Sequence, residues 1–156
     1  MQKKDLFPAL TPKIESEVSE AMSLDGGNRD LCSSFSITIR QDDLRTLRHG
    51  KWLNDEIINF YGELCMKRAR EIPDAAKIHI FNTFFYDRLS EKGYSAISRW
   101  TKRIDIFSQE FIIIPIHLGM HWVCGVINFT LKRFEYYDSL HGSNRQAFRV
   151  FFSISL

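Results

Sequence analysis

The stretch FIIIPIHLGMHWVCGVINFTLKRFEYYDSL, Phe111 to Leu140, constrains the fold more than any other part of the chain. Three apolar runs follow one another, DIFSQEFIIIPIHL, HWVCGVINFT and KRFEYYDSL, with turn signals at Gly119 and near Thr130. The period changes here, and the three runs read as strands. Phe111 to Ile116 is nearly continuous in apolar residues, the pattern of a strand covered on both faces. Three sequential strands therefore build a sheet.

What precedes them is mostly helical. In WLNDEIINFYGELCMKRARE, Asn54 is an N-cap and Asp55 and Glu56 sit in the first turn, where the helix dipole favours acids. Ile57, Phe60, Tyr61, Leu64 and Cys65 make its apolar stripe, and the basic KRAR is its solvated end. TPKIESEVSEAM reads as a short helix capped by Thr11, with Pro12 at its first position and Ile14, Val18 and Met22 at helical spacing. SLDGGNRD breaks it, and SFSITIR, with Phe35, Ile37 and Ile39 alternating, predicts a strand. QDDLRTLRHG is a helical turn or two ending at Gly50. KIHIFN is a short strand, and TFFYDRLSEKGYSAISRWTKR predicts two short helices split at Gly93. Helices followed by consecutive strands make an α+β fold. Residues 1–34 read as an N-terminal extension with a short helix and loop, and 35–156 as the body.

Bulk properties exclude several classes. A length of 156 residues predicts one domain, and 44% hydrophobic residues supply a core. A formal net charge of +2 is too small to argue for nucleic acid or an anionic membrane. No apolar run reaches 18 residues, so no membrane span is expected. MQKKDLFPAL has no apolar core of a secretory signal. Cys32, Cys65 and Cys124 are scattered, without zinc-ligand spacing, so neither a disulfide framework nor a metal is expected, and a reducing compartment fits.

Chemistry enters at His121 and Asp138. His121 opens one strand, and Asp138 closes the next. A general base needs a partner that fixes its tautomer and stabilises its cation, and neighbouring strands supply one if these two residues meet at one sheet edge. The alternatives are a structural histidine and an aspartate that caps the turn DSLHG. No cysteine suits the nucleophile's role. Cys124, three residues beyond His121, points to the opposite face. Cys65 belongs to the helix's apolar side, and Cys32 lies in a polar loop with no helix N-terminus to lower its pKa. Trp52, Trp100 and Trp122 stand near element ends, as core residues or as walls of a substrate groove.

WLNDEIINFY, FNTFFYDRL, RWTKRIDIF, IIIPIHLGMHWVCGVINF and YYDSL occur in the order found in the catalytic domains of the sentrin/SUMO-specific cysteine proteases, so the chain resembles that family from about Phe7 to about Phe151. The resemblance implies a papain-like fold of the SUMO-protease type, over residues 35–156 as a partial catalytic domain. It implies deSUMOylation of conjugates and maturation of SUMO precursors, without metal or cofactor. His121 and Asp138 match the family's catalytic histidine and aspartate. The family's cysteine lies further along, in an Asp-Cys-Gly motif preceded by a glutamine of the oxyanion hole, and the sequence ends at Leu156 without it. The expectation is a truncated domain, inactive as written, with a non-catalytic SUMO-binding module as the alternative.

Residue by residue, the resemblance makes Trp52 and Trp122 the aromatic walls of the tunnel that holds SUMO's Gly-Gly terminus. Only glycine lets a backbone pass so closely between two indole faces. Asp55, Phe84, Arg99, Trp100 and His117 match contacts to the globular body of SUMO, the charged ones orienting it and the aromatic ones anchoring it. Partners are SUMO and SUMO-conjugated proteins. The complete domain is expected to be monomeric and nuclear or nucleocytoplasmic, and the truncated one marginally stable and prone to self-association.

Overall fold

The computed structural model describes residues 9–23, 27–102 and 104–152. The segments 1–8, 24–26 and 153–156, including the start of the resemblance at Phe7 and the SISL tail, lie outside the described residues, as does Arg103. The chain divides into two compact units, Met1–Leu53 and Asn54–Leu156.

In the first unit, α1 (Pro12–Ala21) begins at Thr11, whose hydroxyl accepts from the Ile14 N–H. Ile14 and Val18, at the helical spacing expected, are exposed, and the helix buries no residue. β1 (Asp30–Ser34) and β2 (Ile37–Arg40) form an antiparallel hairpin. Two expectations change here. Phe35 and Ser36 are not strand residues but the hairpin's turn, both at positive φ (56° and 60°). Residues 30–34 are not loop, so Cys32 sits on an exposed strand opposite Ile39. The polar run DLCSS carries no alternation that sequence could register, and pairing with β2 makes it a strand. α2 (Gln41–Arg45) follows, with Gln41 fully buried and its amide donating to the Ser23 carbonyl.

The second unit opens with α3 (Asp55–Glu71), capped by Asn54, whose side chain accepts from the Ile57 N–H at 3.1 Å. Its buried positions are Ile57, Gly62 and Met66, so the inward face is rotated from the expected stripe. Tyr61 and Leu64 are exposed. Gly62 explains the rotation: a Cβ there would stand 3.2 Å from Ile80 Cγ2, so the helix approaches β3 (Ile78–Ile80) through its glycine. α4 (Phe85–Lys92) ends at Gly93 (φ 70°), a 3₁₀ turn covers 94–96, and α5 (Ser98–Thr101) completes the helical stretch.

Then come β4 (Phe111–His117), β5 (Trp122–Asn128) and β6 (Arg133–Tyr137). Among the described residues the sheet order is β3-β4-β5-β6, with β3 parallel to β4 and the rest antiparallel. Alternation along β4 is strict. Ile112, Ile114 and Ile116 are fully buried, whereas Phe111, Ile113 and Pro115 are half-buried. One face of β4 is thus closed and the other partly open, short of the two-sided cover its sequence predicts.

The closed face meets α4 residues Phe85 and Leu89 and α6 (Arg145–Phe152). Phe151, fully buried, stacks on Phe134 with ring centroids 5.8 Å apart. Gly125 makes this possible, because a Cβ on it would lie 2.3 Å from Phe151 Cζ and 3.3 Å from Ile116 Cδ1. A buried ring cannot give way as a flexible side chain can. Gly125→Ala is therefore expected to destabilise the protein by about 1–3 kcal/mol, read as a lower urea midpoint with an unchanged slope.

Candidate active site

The site is built at one end of the sheet. β4 and β5 pair so that His117 lies opposite Trp122, and the connection turns at Gly119 (φ 85°) with the Leu118 N–H donating to the His121 carbonyl. β5 and β6 pair Cys124 with Tyr137. His121, just before β5, and Asp138, just after β6, therefore emerge together. His121 Nε2–H donates to Asp138 Oδ1 at 2.6 Å, and their side chains are 15% and 6% exposed. A carboxylate can only accept, so this contact puts the ring proton on Nε2 and leaves Nδ1 as the atom at which a proton is taken or given.

The carboxylate is held by more than the histidine. Its Oδ1 also accepts the Leu140 N–H at 2.8 Å, and the His141 N–H donates to the Asp138 carbonyl. The His121 hydrogen bond, then the Leu140 and Gly142 N–H groups, hold the Asp138 carboxyl below the usual carboxylate range, against the opposing effect of burial. Asp138 organises the turn DSLHG and orients the histidine at once.

Strand β6 is locked in place by a second carboxylate. Glu135 accepts from the Tyr137 hydroxyl (2.6 Å), Arg133 Nε (2.7 Å) and Asn128 Nδ2 (2.9 Å). These bonds hold its pKa at about 2, and the same contact with Glu135 pushes the Tyr137 hydroxyl up. The network ties β6 to β5 three residues before Asp138.

Beside the dyad runs an apolar groove of about 700 Å³, along the partly open sheet face. Ile58, Tyr61 and Cys65 of α3 form one wall, and Pro115, Trp122, Cys124 and Tyr137 line it with Asp138. Cys124 shares this groove but not the chemistry. Burial pushes its thiol up, disfavouring the thiolate that nucleophilic attack needs. Cys65 is half-buried on α3, and Cys32 belongs to the first unit.

The remaining expected site residues are distributed as follows. The His117 imidazole lies against the Trp122 indole with ring centroids 4.4 Å apart. Asp55 is the first residue of α3, and Phe84, 53% exposed, precedes α4. Arg99 and Trp100 lie on α5 and share a second pocket with Glu63, His79 and Asn82. Trp100 also packs against the core, 5.8 Å from the Phe85 ring. Trp52 is exposed and belongs to the first unit, whereas Trp122 belongs to the second. The backbone groups that hold Asp138 escaped sequence reasoning. Their signal is the spacing of Asp138 and Gly142 around a turn. Among the described residues, no three His, Cys, Asp or Glu side chains are placed to hold a metal ion, and no helix is long and apolar enough to cross a membrane.

Residues 51–154 match the model of the Ulp1 protease family, C-terminal catalytic domain. The chain belongs to this family. It is 43% identical over 143 residues to a sentrin-specific protease of Caenorhabditis elegans and 41% identical over 131 residues to human sentrin-specific protease 2. These alignments cover 92% and 84% of this chain but only 20% and 22% of those proteins, so the chain spans about a fifth of their length. Its fold is that of the C-terminal Ulp1 protease domain solved in complex with Smt3, the yeast orthologue of SUMO. The TM-score is 0.79 at 35% identity, over 97% of this chain and 67% of that one. A structure of Ulp1 with its catalytic cysteine oxidised to a sulfinic acid matches equally, with a TM-score of 0.79 at 34% identity over 94% of this chain and 65% of that one.

The lowered Asp138 pKa fixes the sign of one pH effect. Because folding favours the ionised carboxyl, its contribution is complete above the unfolded carboxylate pKa of about 4. It is lost as pH falls through the lower folded value. Asp138→Asn should therefore flatten the acid limb of the melting temperature against pH below about 4, and leave the slope near neutrality unchanged.

Proposed function

We propose that these residues form the base-and-acid half of a SUMO-specific cysteine peptidase site that deconjugates SUMO from lysine side chains and matures its precursor. The observation that carries this reading is the 2.6 Å His121–Asp138 hydrogen bond at the sheet end of an Ulp1-family domain. The nucleophilic cysteine comes from a segment outside these 156 residues. The placement of the three cysteines supports this, since Cys124 is held as a thiol by burial and neither of the others neighbours His121 on its element.

In the reaction, His121 Nδ1 takes the proton of the thiol, and the thiolate attacks the carbonyl carbon of SUMO's terminal glycine. Collapse of the tetrahedral adduct breaks the C–N bond, with the proton on Nδ1 passing to the departing lysine amine. Water then attacks the thioester, losing a proton to Nδ1, and the thiol leaves with that proton. Asp138 stabilises the imidazolium in each half-reaction without being protonated itself. Trp122 walls the passage of the Gly-Gly terminus. Asp55, Phe84, Arg99, Trp100 and His117 receive the body of SUMO, and the exposure of Phe84 suits an apolar anchor. SUMO and SUMO-conjugated proteins are the substrates, and the site of action is nuclear or nucleocytoplasmic. The complete domain acts as a monomer.

The test uses the full-length protein and a fluorogenic SUMO C-terminal amide. His121→Ala should lower kcat about 10⁶-fold and Asp138→Asn about 10⁴-fold, whereas Trp122→Ala should cost about 10²-fold through poorer positioning of the scissile bond. Residues 1–156 alone should release no fluorophore. Release by that segment, abolished by Cys124→Ser, would assign the nucleophile to Cys124 and overturn the reading.

A further inference from the structure

Gly142 stands against the outer oxygen of the Asp138 carboxylate. A Cβ built on it would lie 2.5 Å from Asp138 Oδ2 and 3.5 Å from Cγ. The first distance is below the 3.0 Å that Cβ contacts respect. Backbone conformation does not demand the glycine. Gly142 is absent from the positive-φ residues, whereas its neighbour His141, with φ at 58°, adopts the left-handed region with a full side chain. What position 142 requires is space, and the atom that occupies the space is a carboxylate oxygen of the dyad.

The opposite side of that carboxylate is already fixed. Oδ1 accepts from both His121 Nε2 (2.6 Å) and the Leu140 N–H (2.8 Å). The carboxylate is therefore pinned at Oδ1 by two donors, also held by the Gly142 N–H, and its Oδ2 faces the bare α-carbon of Gly142. A methyl group there forces either rotation about the Cβ–Cγ bond or withdrawal of the turn. Both move Oδ1 off the line to His121, and hydrogen bonds weaken steeply with such misalignment.

We infer that Gly142 is a positioning residue of the site: its missing side chain lets the 138–142 turn close on Asp138 and fix the carboxylate in the plane that holds His121. This rests on the reading of His121 and Asp138 as base and orienting acid, but its structural content is independent of that reading, and so is its test.

The experiment is NMR on the full chain, following the Asp138 side-chain carboxyl through an acid titration and the hydrogen-bonded His121 ring N–H proton at its downfield position. Gly142→Ala should shift the Asp138 titration upward and abolish the downfield resonance, whereas Ser143→Ala, an exposed residue next in sequence, should change neither. A merely structural glycine would lower the melting temperature and leave both signals in place, and that result in a folded Gly142→Ala variant overturns the inference. Asp138→Ala supplies the second arm. In that background Gly142→Ala should no longer lower the melting temperature, because the oxygen it strikes is gone. A Gly142→Ala chain that folds only when Asp138→Ala is also present supports the inference. An equal loss in both backgrounds, or failure of both to fold, places the clash elsewhere and overturns it.

Discussion

The antiparallel register of β4, β5 and β6 carries the rest of the structure. It sets His117 opposite Trp122 and Cys124 opposite Tyr137, and so brings the residue before β5 and the residue after β6 to the same end of the sheet. Strand side chains alternate with period two, so a slip of one residue would turn every side chain to the other face. Such a slip would put the half-buried Ile113 and Pro115 where Ile112, Ile114 and Ile116 now pack. It would also separate His121 from Asp138. Core and site are thus specified by one register, and packing energy spent on the first keeps the second aligned. The Glu135 network adds a polar lock close to the working end of β6.

The two faces of the sheet do different work. The closed face is where Phe151 reaches Gly125 and the isoleucines of β4 are fully buried. The other face is covered by α3 near β3 and opens into the groove beside Trp122. Tyr61 lines that groove while remaining 68% exposed. Apolar residues along a half-covered face are what a binding surface looks like from the inside. The same feature explains why the α3 stripe, read as a single core-facing side, divides between the sheet contact at Gly62 and the groove wall at Ile58, Tyr61 and Cys65.

Much of this was legible in the sequence, because the decisive signals are local. Asn54 announces α3 through an N-cap whose hydrogen bond is present, Gly93 marks the end of α4, and the turn signal at Gly119 separates β4 from β5. The order of His121 and Asp138 at strand ends was enough to pose the dyad. The parts that were not legible depend on partners distant in sequence or on atoms that every residue shares. β1 is a strand only because β2 pairs with it, and its own residues carry no alternation. The face of α3 turns on a glycine, which hydropathy does not count as an apolar contact. The ligands of the Asp138 carboxylate are mostly backbone N–H groups, which one-letter sequence does not display.

Backbone ligation of Asp138 also decides how the site divides its labour. A carboxylate held only by a histidine can follow that histidine when the ring moves or gains a proton. Here Oδ1 is tied to the Leu140 N–H as well, on a turn that the His141 N–H closes onto the Asp138 carbonyl. The acid is therefore part of the frame rather than of the moving machinery. In the proposed reaction its negative charge is fixed in place before the imidazolium forms, so little reorganisation is needed when the proton arrives, which is the condition under which an electrostatic partner is most effective. The same frame commits Nε2 to the aspartate. Under the proposed function, the nucleophile then approaches Nδ1, and its position is constrained by the ring orientation that Asp138 imposes.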